Sequence, residues 1–385
     1  MYTPLLIVGA GPFGLALSAY AKHLGVEHVM LGVPMGFWRD RMPVGMMLRS
    51  DCEWHLDPLE ELTIHAFLET RGETPDSVEP LTLEFYVEYA DWFATARDLE
   101  SHPGLVRSLD RSGISGRFSA LLDTGDTVTA DAVVIAPGFG SFAHIPDELA
   151  AILPEDGFSH TSTAVDFSNV AGDRVVIVGG RQSAFEWAAL IAEAGAEAVD
   201  LVYRHDTPSF EESDWSWVSA LMDATVEDPT WYRGLSRAEQ TDIENRLWSE
   251  GRLKLEPWLA ERVERDGVTL RSGRTLAHTG PGEEREIACR LDDGTVLQAD
   301  RVILATGYRP DIRRLPYLTD ALLREIEAEE GIPHLDESFQ TSAPGLYITS
   351  MPAVRDFGPF MSFTVAARAS ARIIGNALAA KGFPG

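Results

Sequence analysis

The chain has 385 residues, with 32 lysines and arginines against 60 aspartates and glutamates, a net charge of -28. That length accommodates two domains with separate cores, and a charge of that sign excludes nucleic acid and anionic membrane as partners, leaving solubility as its plain use. No apolar run reaches the roughly 18 residues of a membrane span, and the apolar start at Leu5 leads into a glycine loop, so a cytoplasmic protein is expected. Cys52 and Cys289 are the two cysteines; they supply neither a C-x-x-C redox pair nor a metal cluster, and the histidines lack metal spacing, so no metal is expected.

In chain order, Leu5 to Val8 reads as a buried strand that enters Gly9-Ala10-Gly11-Pro12-Phe13-Gly14 and then a helix with Leu17, Tyr20, Ala21 and Leu24 at i, i+3, i+4 and i+7. In this context G-x-G-x-x-G is a dinucleotide loop: the first glycine allows the turn, the second lets backbone approach a pyrophosphate, and the third allows close helix packing. Pro12 suits the first helical turn, where a missing N–H costs nothing. HVMLG at 28–32 predicts the second strand, and the acid that ordinarily holds an adenosine ribose falls on Gly32. Arg39, Arg41 or main-chain groups would then hold the ribose. Residues 33–58, rich in Met, Pro and Gly, are too polar for core and too aromatic for a linker; a ligand is expected there. From Leu83 a helix presents Leu83, Tyr86, Val87, Ala90, Phe93 and Ala94 on one face. RFSALLDTGDTVTADAVVIAPG then reads as a hairpin turning at 124–126 into a buried strand, and the Pro, Gly and Ser of 139–170 read as a domain crossing.

The same device then repeats. Val175 to Val178 reads as a strand, followed by Gly179 and Gly180, with Arg181 in place of the second close-approach glycine and Ala184 in place of the third, and by a helix with Phe185, Ala188, Ala189 and Ala192 at helical spacing. A guanidinium can point away from such a loop while its backbone still donates, and it can pair with a phosphate. Arg204 ends the next strand, where an acid would select NAD and an arginine accommodates the 2′-phosphate of NADP. Residues 207–260 form an insertion carrying Trp215, Trp217, Trp231, Tyr232, Trp248 and Trp258. Core packing or a homodimer contact would use these aromatics, and a substrate-facing role is the alternative. DDGTVLQADRVILATG echoes the earlier hairpin, and GLYITS with SFTVAARASARIIGNALAA returns to the first domain. The expected fold is α/β, with two Rossmann-like dinucleotide-binding domains, the second inserted in the first: residues 1–143 and 308–385 in one, 144–307 in the other, with an aromatic-rich helical insertion at about 207–260.

Two such loops and two A-x-G strand ends in one chain resemble the two-dinucleotide-binding-domain flavoproteins, in particular flavin-containing monooxygenases and the ornithine and lysine N-hydroxylases. DRVILATGY, Asp300 to Tyr308, is similar to the D-x-x-x-[LF]-A-T-G-Y signature of the N-hydroxylases, with Arg313 where Pro or His is usual; GGRQSAFE resembles their GGGQSAxE loop. Gly36 and Trp38 match the G-x-W that follows the second strand in these monooxygenases, and PMGFWRDRMPVGMMLRS looks like bacterial FAD-dependent urate hydroxylases. The Baeyer–Villiger fingerprint F-x-G-x-x-x-H-x-x-x-W is matched poorly: FSHTSTAVDF offers Phe158, His160 and Asp166, with Ala164 where Trp belongs.

The resemblance implies FAD on the first loop, held by Gly9, Gly11, Pro12, Gly14, Trp38, Arg39, Arg49, Ser50 and Gly138. It implies NADPH on the second, held by Gly179, Gly180, Arg181, Gln182, Ser183, Ala184, Arg204, Thr306 and Gly307, with Gly358, Pro359 and Phe360 completing the cofactor contacts. The implied activity is that of a monooxygenase: NADPH reduces FAD, O2 adds to give a C4a-peroxide, and one oxygen atom enters a small molecule by N-hydroxylation, heterocycle hydroxylation or Baeyer–Villiger-like insertion. An NAD(P)H-dependent flavin oxidoreductase without oxygen insertion is the alternative. Arg49 and Asp51 are the expected catalytic residues, Arg49 as a fixed positive charge at the flavin edge and Asp51 as its bidentate partner; a loop-tying salt bridge is the competing use of that pair.

Overall fold

A computed structural model describes residues 1–102, 104–112, 116–154, 157–282 and 286–382. Its strands fall into two main sheets. β1 (Tyr2–Val8), β2 (His28–Leu31), β3 (Ser101–His102), β4 (Val106–Arg111), β5 (Phe118–Leu122) and β6 (Thr127–Ile135) come first. β7 (Phe158–His160), β8 (Arg174–Val178), β9 (Ala198–Tyr203), β10 (Ser209–Phe210), β11 (Lys254–Leu255), β12 (Val268–Ser272), β13 (Leu276–Pro281), β14 (Ile287–Leu291), β15 (Val296–Ala299) and β16 (Arg301–Leu304) follow. A small hairpin, β17 (Ala328–Glu329) and β18 (Ile332–Pro333), precedes β19 (Leu346–Ile348).

The first sheet runs β3-β2-β1-β6, parallel throughout; beyond β6 the parallel β19 pairs with its second half and the antiparallel β5-β4 with its first. The second runs β12-β9-β8-β16-β7, all parallel, with β13-β14-β15 as a separate antiparallel meander. Both are therefore doubly wound, and since β19 rejoins the first sheet after the whole of the second has been laid down, the second domain is inserted in the first. Leu5, Leu6 and Ile7 of β1 are fully buried in succession, the unbroken apolar run of a strand covered on both faces. One cover is the helix Pro12–His23, against which the last helix, Ala366–Ala380, lies so closely that a Cβ on Gly375 would stand 2.5 Å from the Tyr20 ring.

Two expectations need correcting. The 139–170 crossing is not only a connector, because β7 lies within it and pairs with β16; the two passages between the sheets meet at Ala143 and Tyr308, which form an antiparallel bridge. The helix Leu83–Ala96, capped by Thr82 accepting from the Phe85 N–H at 3.1 Å, buries Phe85 and Tyr89, whereas Val87 and Ala94 are half-buried. Its apolar face is turned by Phe67, whose ring lies 5.7 Å from Phe85 and 6.0 Å from Tyr89.

The insertion joins the two cores. Trp215, Val218 and Met222 are buried in the first domain's core, and Leu255 and Leu259 in the second's.

Candidate functional site

In an open α/β sheet, ligands bind beyond the carboxyl ends of the strands, and both glycine loops lie there. Gly9 has φ +116, and a Cβ on it would overlap the Ala136 carbonyl at the end of β6; a Cβ on Gly14 would overlap the Gly9 carbonyl. At Gly11 a Cβ would meet nothing within 4 Å. Turn and helix packing therefore consume the first and third glycines, while the second faces open space at the N-terminus of Pro12–His23, where free N–H groups and the helix dipole favour a phosphate. Gly32, with φ +130, lies against the loop, its absent Cβ 3.2 Å from the Ala10 nitrogen. A side chain at Gly32 would be strained by that φ and would crowd the loop, so the position where a ribose-binding acid is usual suits glycine here.

The sequence reading overlooked two hydroxyls. Thr349 and Ser350 follow β19, are 1% exposed, and their side-chain oxygens have no hydrogen-bond partner; Ser350 also has φ +67. Buried hydroxyls without partners at the carboxyl edge of the sheet are the polar lining a bound dinucleotide can satisfy. The signal in the sequence was two polar residues directly after an apolar strand, I-T-S.

At the second loop Gly179 has φ +146 and packs on Ala305, and a Cβ on Gly180 would stand 2.5 Å from the Tyr203 Cβ. Arg181 begins the helix Gln182–Glu193, but its guanidinium turns outward over Trp248, 5.1 Å from the ring centre, and donates to the Arg252 carbonyl. Its backbone keeps the loop geometry while its charge serves the insertion side. Gln182 Oε1 accepts from the Glu256 N–H at 3.1 Å, whereas its buried Nε2 finds no partner, a spare donor beside the loop. Ser183 is exposed and Ala184 buried; Arg204 is exposed at the end of β9. Thr306 donates to the His144 carbonyl, and the Gly307 carbonyl accepts from the His144 N–H at 2.9 Å. Both residues fix the inter-sheet passage. These donors and glycine cradles suit two dinucleotides.

The expected Arg49–Asp51 pair does not form. Arg49 Nε donates to Glu256 at 2.8 Å, Nη1 to the Gly251 carbonyl at 2.8 Å and Nη2 to the Glu250 carbonyl at 3.0 Å and to Ser213, with the guanidinium 5.3 Å from the Trp215 ring centre. A buried acid and two helix-end carbonyls in the insertion satisfy more of its donors than a loop aspartate could. Asp51 instead accepts from the Glu53 N–H at 3.0 Å, and burial, then the charges of Glu79 and Glu53, raise its carboxyl pKa above the usual range. It lines a cleft of about 630 Å3 with Trp54, Asp214 and Trp215, between the 44–62 loop and the insertion. Ser50 is half-buried beside it.

Other expected cofactor contacts are engaged in the protein itself. Arg39 pairs with Asp91 at 2.6 Å, Trp38 stacks on Tyr86 at 4.8 Å, and Gly138 supplies a turn at φ +60 after β6. Gly358 packs against Tyr232, its absent Cβ 3.1 Å from the ring, and leads through Pro359 to Phe360, which is 1% exposed beneath Trp217 at 5.1 Å. Trp215 packs on Trp54 at 5.9 Å. Trp215, Trp217 and Tyr232 thus hold the insertion onto the first domain.

The comparisons agree with this layout. A 16%-identical chain, the ornithine N-hydroxylase of Kutzneria sp. 744, superposes with a TM-score of 0.79 over 99% of this chain and 100% of its own, a likeness of fold. Among curated proteins, a ferredoxin–NADP reductase of Gluconacetobacter diazotrophicus is 38% identical over 107 residues, 26% of this chain and 30% of the relative. Indole-3-pyruvate monooxygenase YUCCA1 of Oryza sativa is 26% identical over 333 residues, 80% and 77% of the two chains. The matches to three ferredoxin–NADP reductases span 30%, 54% and 54% of those relatives' lengths. One family model, described as pyridine nucleotide-disulphide oxidoreductase, matches residues 6–245, and a second of the same description matches 240–350. With both glycine loops inside those spans, the chain belongs to the pyridine nucleotide-disulphide oxidoreductase family, in a form without a C-x-x-C pair.

Proposed function

We propose that the protein is an FAD-dependent, NADPH-consuming monooxygenase that inserts one oxygen atom from O2 into a small molecule. The observation that carries the reading is the pairing of two phosphate-seeking glycine loops with an absence of thiol chemistry: Cys52 and Cys289 are both free and buried, in different cores, so electrons drawn from a nicotinamide have no disulfide to enter. Bound FAD would supply hydride acceptance and the activation of O2. The chain's residues do the holding: Gly9, Gly11 and Gly14 with the helix N-terminus take the FAD pyrophosphate, Thr349 and Ser350 supply hydroxyls at the strand ends, and Gln182 with Arg181 and Arg204 takes NADPH. Asp51, Trp54 and Trp215 line the cleft offered to substrate, with the raised carboxyl of Asp51 as its contact and Arg49 as a positioning residue behind the wall. Oxygenation demands exclusion of water and fixed geometry more than an acid–base pair. The names of the ornithine N-hydroxylase and the indole-3-pyruvate monooxygenase support oxygen insertion.

The ferredoxin–NADP reductases among the relatives favour a second reading, a flavin oxidoreductase that passes electrons to an acceptor without inserting oxygen. Turnover under labelled O2 separates the two: label in an organic product supports the monooxygenase, and NADPH oxidation without label in any product, across amines, heterocycles and ketones, supports the reductase. No helix among the described residues is long and apolar enough to cross a membrane, and two unpaired buried thiols suit a reducing cytoplasm. Replacing Arg204 by Ser is expected to weaken NADPH by about 1.5–3 kcal/mol, the worth of a hydrogen bond to a charged group, and to leave NADH unchanged. Equal Michaelis constants for the two nicotinamides in the parent protein would reject the NADPH assignment.

A further inference from the structure

We infer that Glu186 is a positioning residue: by gripping one main-chain N–H of the loop that lies between the domains, it sets the helix behind the second glycine loop in register with the first domain. On the NADPH reading above, that register is what holds two dinucleotides at reacting distance for hydride transfer.

The segment Gly45–Arg49 belongs to the first domain by its hydrogen bonds. The Gly45 N–H donates to Glu84 at 3.0 Å, the Leu83 N–H to the Met46 carbonyl at 2.9 Å and the Leu48 N–H to the Leu81 carbonyl at 2.8 Å. Met47 and Thr82 face each other in this antiparallel bridge. Its ladder is made by the residues on either side of Met47, so the Met47 N–H is turned outward. It crosses to the second domain and donates to Glu186 Oε1 at 3.3 Å. Glu186 stands on the helix Gln182–Glu193, which begins at the second glycine loop. The flanking residues close the same seam. A Cβ on Gly45 would lie 3.4 Å from Leu190 Cδ2 of that helix, Met46 packs on the second core, and Arg49 pairs with Glu256, whose N–H donates to Gln182.

Glu186 is fully buried, and a carboxylate in that setting costs more than the apolar side chain that would close a seam equally well. Neutralising Arg262 does not account for it: Glu186 accepts from that guanidinium at 2.9 Å, but Glu193 already meets it at 2.7 and 2.9 Å. Its other oxygen accepts from Trp258 Nε1 at 3.5 Å. What Glu186 adds is an acceptor for the Met47 N–H, aimed by Arg262 and Trp258. An apolar seam can slide, whereas a fixed acceptor facing one backbone donor admits one register. Reacting rings need such a register, since a misplacement of about 1 Å can slow a reaction about a hundredfold.

Two substitutions separate reach from charge. Glu186→Gln keeps an oxygen for the Met47 N–H and gives up the charge; Glu186→Asp keeps the charge and, one methylene shorter, gives up the reach. Anaerobic rapid mixing of the flavin-loaded full-length protein with NADPH reads the limiting rate of flavin reduction and the Kd of the nucleotide, and hydrogen exchange of the Met47 amide reads the grip without turnover. Glu186→Asp is expected to slow limiting reduction about tenfold and to quicken Met47 exchange with Kd within about twofold of the parent's, while Glu186→Gln stays within about twofold in all three. The reverse pattern, with Glu186→Gln slow and Glu186→Asp intact, assigns Glu186 to pairing with Arg262 and overturns the inference. Two variants that reduce flavin at the parent's rate overturn it as well, whatever their melting temperatures. A parent whose flavin NADPH does not reduce overturns the NADPH reading, and Met47 exchange distinguishes that result from a failed grip.

Discussion

At the scale of single residues, the three glycines of the first loop have separable jobs, and substitution distinguishes them. Gly14 has no room for a methyl group and Gly9 has neither room nor a permissive φ, so Gly14→Ala is expected to destabilise the fold by about 1–3 kcal/mol or more through forced backbone displacement. Gly11 is open to solvent on the side where a pyrophosphate would sit; Gly11→Val is expected to melt as the parent does while purifying colourless. Stoichiometric flavin retained by that variant would place FAD elsewhere. Arg49 has a different partner from the one its sequence context implied. Its partner Glu256 is 5% exposed, and removing one member of a buried pair typically costs about 3–5 kcal/mol because the other charge is stranded. Arg49→Ala is therefore expected to lose about 3 kcal/mol of stability, read as a shift in urea midpoint, and to disturb Gln182 through the Glu256 backbone. An unchanged midpoint with slowed flavin reduction would return Arg49 to the flavin edge.

At the scale of elements, the βα units were legible because each is a local pattern: an apolar run, a glycine loop and a helix within about thirty residues. The hairpins read equally well, since Gly125 and Gly294 take positive φ at turns flanked by alternating strands. What stayed hidden was non-local. The three residues of β7 carry no periodicity, and their strand character comes from pairing with β16, over 140 positions later. Arg49 found Glu256 instead of Asp51 because an insertion about 200 residues away folds back over the loop. The insertion itself showed its tryptophans but not their direction. Trp215, 8% exposed between Trp54 and Phe363, fastens it to the first domain. Trp215→Ala is expected to cost about 3–5 kcal/mol, as truncation of a buried aromatic does, and to hasten proteolysis within 207–260. A proteolysis rate equal to the parent's would show that other contacts suffice to dock the insertion.

At the scale of the whole molecule, the surplus of acid makes the response to pH a contest between two terms. A net charge of -28 repels itself, and protonating exposed carboxylates as pH falls relieves that repulsion and favours the compact state. Buried histidines act in the opposite sense. His55 is 5% exposed and accepts from Arg368 Nη1 at 2.6 Å through Nε2, so it is folded in its neutral form with the proton on Nδ1, which has no partner. Burial, and then the Arg368 charge, press its pKa down to about 3; burial lowers His28 and His160 as well. An unfolded histidine titrates near 6.5, so below that pH the unfolded chain binds a proton the folded one refuses. The stability His55 contributes is whole above about 6.5 and is lost as pH falls from there towards its folded pKa, at up to about 1.4 kcal/mol per pH unit. His55→Gln keeps an acceptor for Arg368 and removes the titration. Between pH 6.5 and 5 the variant's unfolding free energy is therefore expected to fall less steeply than the parent's, by up to that slope, with the two curves converging as the medium becomes more acid. Chemical denaturation at three or four pH values measures it, and parallel curves would assign the acid sensitivity to His28, His160 or the carboxylates instead.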